Sequence, residues 1–115
     1  MMLTMAKNAN LAVMFFLELG VYLAVGYWGF TTGGNWPLRL LLGIGGPALM
    51  AGLWAFFGSP KATFPLRGAG RVLLEIGWFG AGVAAAAAAG LITVSAVFAA
   101  VFAANALLRI LWHQI

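Results

Sequence analysis

The chain reads as an all-α integral membrane protein, a four-helix bundle made of two related helical hairpins, and three observations predict this. Only eight of 115 residues are Lys, Arg, Asp or Glu, whereas a soluble domain carries about 25% charged residues. The apolar residues, 64% of the chain, gather into runs long enough to cross a bilayer. The charges stand at a few points between those runs, which is the pattern of a polytopic bundle. Residues 1–115 are therefore expected to form a single transmembrane domain, with the lipid bilayer as its first partner.

The first span is expected over about residues 11–30, twenty residues with one charge, Glu18. At 1.5 Å per residue it covers about 30 Å, the hydrocarbon thickness. Thr31 to Pro37 is a turn: Gly33 and Gly34 permit unusual backbone angles, Trp36 suits an interface and Pro37 suits a helix's first turn. The second span follows over about residues 38–57. Pro47, after Gly45 and Gly46, removes a backbone donor in mid-span and marks either a packing kink or a hinge. Residues 58–69, with Pro60, Lys61, Pro65 and Arg67, form a polar loop that halves the chain. From Val72 to Leu108 the only charge is Glu75. One helix of that length would reach about 55 Å, too long for a single crossing, so the chain should fold back at Gly90. This gives spans of about 70–89 and 92–112.

Lys7, Lys61, Arg67, Arg71 and Arg109 fall on one side of this arrangement and Arg39 on the other. The positive-inside rule then places both termini and the central loop in the cytoplasm. The net charge of +4 forms no basic stripe on a polar surface, so nucleic acid is not an expected partner. Without cysteine there is no disulfide, thiolate nucleophile, iron–sulfur cluster or Cys-based zinc site. Lys7 ahead of an apolar stretch that reaches Ala24-Val25-Gly26 imitates a secretory signal, but Glu18 interrupts it.

A shift of 57 residues aligns Leu17-Glu18-Leu19-Gly20 with Leu74-Glu75-Ile76-Gly77, Tyr22 with Phe79, Ala24 with Ala81, and Gly33 with Gly90. One further residue aligns Ala48-Leu49 with Ala106-Leu107 and Leu53-Trp54 with Leu111-Trp112. Each half holds two spans, so a duplication would be of the parallel type, about an axis along the membrane normal. Gly20 with Ala24, and Gly77 with Ala81, form small-x-x-x-small steps that let helices approach closely. These lie about 200° around the helix from the neighbouring acid. One of the two features is thereby available to a second protomer, and a homo-oligomer or a membrane-protein partner is the expectation.

A carboxylate in hydrocarbon costs roughly 2.5 to 3.5 kcal/mol on insertion scales, so it normally faces protein or water. Glu18 and Glu75 are the candidate polar centre. Arg71 shares a helical face with Glu75, while Met14 and Tyr22 flank Glu18, which has no local cation. Asn105 and Arg109, one turn apart, are candidate counter-groups. Two readings follow: a proton or cation site open to the cytoplasm, or an internal ion-pair network that fixes helix register. Arg39 reads as a snorkelling anchor. His113, the only histidine, reads as part of an interfacial tail rather than a metal or haem ligand. No Ser-His-Asp arrangement, phosphate loop or zinc motif is present, so the chain is not expected to be an enzyme or to hold a cofactor or metal.

Asn10-Leu11, Phe16-Leu17-Glu18-Leu19, Gly26-Tyr27-Trp28-Gly29, Pro47 with Leu53-Trp54, Pro60-Lys61-Ala62 with Pro65-Leu66, and Arg71-Val72-Leu73-Leu74-Glu75 together resemble the YrdB-like family of small bacterial membrane proteins. That family is a domain of unknown function, so the resemblance implies a four-span protein of the bacterial inner membrane and no activity. The chain is also similar in length and span number to small multidrug resistance exporters. Only Glu18 matches their essential acid, and the second acid and the strong charge bias depart from their pattern. The expected function is a small transporter or a proton- or cation-handling module centred on Glu18 and Glu75. The alternative is a non-catalytic scaffold or accessory subunit.

Overall fold

The computed structural model describes residues 1–32, 34–58 and 62–112. Among these the chain forms four helices and no strand: α1 (Met2–Thr32), α2 (Trp36–Phe57), α3 (Ala69–Ala88) and α4 (Ile92–Leu111). Each is long and apolar enough to cross a bilayer, and the chain is a multi-pass membrane protein in a lipid environment. The predicted turn at Gly33 and the segment 59–61 with Pro60 and Lys61 lie outside the described residues, as does His113.

Local chemistry sets the helix ends. Asn35 accepts a hydrogen bond from the Leu38 amide at 2.9 Å and caps α2, with Pro37 in the first turn where no donor is needed. At the other end of α3 the Leu91 amide bonds to the Ala86 carbonyl and the Gly90 amide to that of Ala87. This paired closure needs a left-handed residue, and Gly90 supplies φ +85°. The Gly90 turn is therefore where the sequence places it. After α2 the chain folds back, with Phe64 bonding to Phe56 and Leu66 to Phe57, before Gly68 opens α3.

The first helix begins at Met2, not near residue 11. Its added turns contain Met, Leu, Ala and Lys, good helix formers; they are largely exposed up to Asn10, which is buried against Asn105 of α4. The remaining helices agree with the expected spans to within two residues.

The bundle is built around α1 and α3, which run in the same direction, while α2 and α4 flank them and make no contact with each other among the described residues. Side-chain transfer from water cannot drive helix association in lipid, so close fit must. Val21 and Phe79 are fully buried, and Val21 sits in a notch at Gly82 where an added Cβ would come within 2.9 Å of it. At the far end, Gly29 of α1 lies directly on the Leu42–Gly43 backbone of α2. Pro47 does not break α2; it packs against Gly26 instead. Trp78 donates to the Met50 carbonyl at 2.9 Å and ties α3 to α2, and Ser95 donates to the Val83 carbonyl at 2.8 Å and ties α4 to α3.

Candidate functional site

Each central helix buries one stripe of residues, and the position of the acids relative to those stripes decides their environment. On α1 the stripe is Asn10, Met14, Leu17, Val21, Val25 and Gly29, and Glu18 stands one residue off it. On α3 the stripe is Glu75, Trp78, Phe79, Gly82, Ala85 and Ala86, so Glu75 is part of it. Glu75 is 2% exposed and Glu18 is half-buried.

Around Glu75 the structure assembles a continuous polar cluster. Arg71, one turn earlier, donates through Nε to Oε2 at 2.9 Å. Arg109 of α4 grips the same carboxylate with both terminal nitrogens, one to Oε2 at 2.9 Å and the other to Oε1. A bidentate guanidinium–carboxylate pair of this kind is directional as well as strong. The Arg109 Nε is taken by Asn105 Oδ1 at 2.7 Å. Asn105 in turn donates to the Asn10 carbonyl at 2.6 Å and to its Oδ1 at 3.0 Å, and Asn10 donates back to the Asn105 carbonyl at 3.2 Å. The cluster thus links α1, α3 and α4. Arg71 extends it to α2 by donating to the Gly58 carbonyl at that helix's C-terminus and by lying 4.9 Å over the Trp54 ring. A cation at the last carbonyls of a helix is favoured by its dipole.

Arg109 is 1% exposed, and Arg71 is largely covered. Both stand near the ends of their spans and turn inward to Glu75. Burying a guanidinium is tolerable only with its donors satisfied, and here the carboxylate and Asn105 do so. Glu18 lies beside the Trp54 indole, within electrostatic reach of Arg71, Arg109 and Glu75. Among the described residues it forms no salt bridge. Two guanidiniums and one carboxylate leave the cluster with one positive charge in excess, which an ionised Glu18 would offset.

The proposed packing steps separate. An added Cβ at Gly20 would fall 2.7 Å from the Phe98 ring, so that step is used inside the protomer, and Ala24 is half-buried. Ala81 packs on the core cluster, whereas Gly77 has nothing within 4 Å. Sequence reasoning missed Asn10, Trp54 and the Gly58 carbonyl. For Asn10 a signal existed: stepping back by four from Met14 along the Leu17–Val21–Val25 stripe lands on it. For Gly58 there was none, because a backbone carbonyl leaves no trace in composition.

Residues 12–103 match the family model described as Protein of unknown function (DUF2568). The chain belongs to this family. The matched stretch holds Glu18, Arg71 and Glu75, while Asn10, Asn105 and Arg109 lie just beyond its two ends. No curated protein and no solved structure matches the chain.

Proposed function

We propose that the polar cluster is an interhelical clamp and that the protein works as a non-catalytic membrane scaffold or accessory subunit, held in one conformation by Glu75, Arg71, Arg109, Asn105 and Asn10. The observation that carries this reading is the saturation of Glu75: both its oxygens are engaged by guanidiniums, and the second of these is fixed by an asparagine pair. A carrier acid must exchange partners during its cycle. The second reading, proton handling, rests on Glu18 alone, which is half-buried and without a salt bridge among the described residues.

The reading includes a place in a bacterial inner membrane with both termini cytoplasmic, as the YrdB-like resemblance and the distribution of Lys7, Lys61 and Arg67 against Arg39 favour. It also includes a parallel-type duplication, supported by the common direction of α1 and α3, and a homo-oligomer or partner contact on the open Gly77 face of α3. The test is reconstitution in vesicles carrying a pH-sensitive dye, with cationic substrates added outside. The clamp reading expects proton flux no greater than in protein-free vesicles. A flux that Glu18→Gln abolishes while the fold survives would overturn it in favour of the proton-handling reading.

A further inference from the structure

The chain has six Lys and Arg but only two acidic side chains. Both acids, Glu18 and Glu75, stand in or beside the clamp, into which Arg71 and Arg109 are drawn. Arg39 stacks on Trp36 at the opposite end of the bundle. Lys7 and Arg67 differ from these: neither makes a hydrogen bond, ion pair or ring contact among the described residues. The chain has no acidic side chain left to meet them.

The fold sets these two cations at one level. Lys7 comes three residues before Asn10 on α1, and Arg67 precedes Gly68, the N-cap of α3, four residues ahead of Arg71. Each therefore stands about one turn, roughly 5 Å, beyond the clamp at the same end of the bundle. The contact of Val21 with Gly82 gives the same register, because fourteen residues back from these two positions are Lys7 and Gly68. Packed helices keep their axes about 8 to 10 Å apart, so two long basic side chains on α1 and at the start of α3 can reach one group between them.

The surroundings of the pair are apolar. Met5, two residues from Lys7, is exposed, and so are Phe64 and Leu66 ahead of Arg67. The amides of Phe64 and Leu66 bond to the Phe56 and Phe57 carbonyls, which holds these side chains at the C-terminal end of α2. Cations among exposed apolar side chains at the end of a span belong at the depth of phospholipid headgroups.

We infer that Lys7 and Arg67 form a headgroup site for one anionic phospholipid of the leaflet at the clamp end, its phosphate held between the ends of α1 and α3. The membrane supplies the counter-charge that the chain lacks. The guanidinium offers paired donors to phosphate oxygens, and the ammonium adds a point charge. The site shares no residue with the clamp and does not depend on the scaffold reading.

Native mass spectrometry of the full chain released from nanodiscs of equal phosphatidylglycerol and phosphatidylcholine tests the site. One basic residue at an anionic surface is worth about fivefold, so the native chain should prefer phosphatidylglycerol by about twenty-five-fold. Lys7→Gln or Arg67→Gln should each lower the preference to about fivefold, and the double variant should bring it close to one. The charge-keeping pair Lys7→Arg with Arg67→Lys should preserve it, and Arg39→Gln, at the other end, should leave most of it. Inorganic phosphate in place of chloride, at equal ionic strength, should leave the retained lipid where it is. Equal retention of both lipids by the native chain would overturn the inference. So would a preference that survives in the double variant, or a lipid displaced by inorganic phosphate, which would assign the two cations to a soluble anion.

Discussion

Glu18 and Glu75 occupy matching places in two similar stretches, yet one is locked and the other is not. The 57-residue shift that pairs them also pairs Leu17 with Leu74 and Tyr22 with Phe79. What differs is the width of the buried stripe: Val21, Val25 and Gly29 of α1 match buried Trp78, Gly82 and Ala86 of α3, but α3 also buries Glu75 and Phe79, where α1 leaves Glu18 and Tyr22 only partly covered. That wider burial puts one acid in the grip of two arginines and leaves the other at the edge of the cluster. Sequence similarity between halves therefore fixes depth in the membrane but not which side chain meets its neighbours.

The sharpest way to break this contrast is to remove a partner. Arg109→Met leaves Glu75 with Arg71 alone and takes the donor from Asn105 Oδ1, and Glu75→Gln leaves Arg109 buried with its charge unmet. Each should destabilise the bundle by about 3 to 5 kcal/mol, the cost of an uncompensated buried charge, measured by reversible unfolding in lipid. Glu18→Gln, in the same assay, should change stability by less than about 1 kcal/mol. Equal losses for the two acids would erase the distinction.

Next in size is the far end of the bundle. Gly29→Ala drives a methyl into the Leu42–Gly43 backbone, which has no rotamer with which to yield, and should cost about 1 to 3 kcal/mol. Asn105→Ala tests the clamp's own support. It strips Arg109 Nε and the Asn10 oxygens of the Asn105 side chain, while the Asn10 amide keeps the residue-105 carbonyl, and should cost about 1 to 3 kcal/mol, with the loss shared by Asn10→Ala in a double-mutant cycle. Smallest is Gly77→Ala: the site is open and a helix interior prefers Ala, so a gain of up to about 1 kcal/mol is expected. A loss there, together with a change in oligomeric state, would show that Gly77 faces a second protomer.

The architecture was legible because the bilayer imposes it. Span length, the Gly90 reversal and Pro37 in the first turn of the second helix follow from single-residue properties and from distances along the chain. The composition of the cluster was also partly legible, since Arg71 and Glu75 are four apart on one helix, as are Asn105 and Arg109. That α4 could supply counter-groups was one of two readings; which acid they would grip was not fixed, because it depends on helix rotation and on how far the helices slide past one another. Asn10 was hidden for the opposite reason. A polar residue ahead of an apolar run resembles a boundary until the inward stripe is extended through it.

The clamp draws on α1 and on α4, which three connections separate along the chain. Asn10 emerges before α3 and Arg109 after it, so α3 must enter the bilayer with its glutamate accompanied by Arg71 alone. The arrival of α4 supplies the second guanidinium and the asparagine that reaches α1. Assembly is thereby ordered in time: α1 and α2 can pair through their glycine crossing as soon as both are made, while the polar lock shuts last and only on a chain translated through to α4.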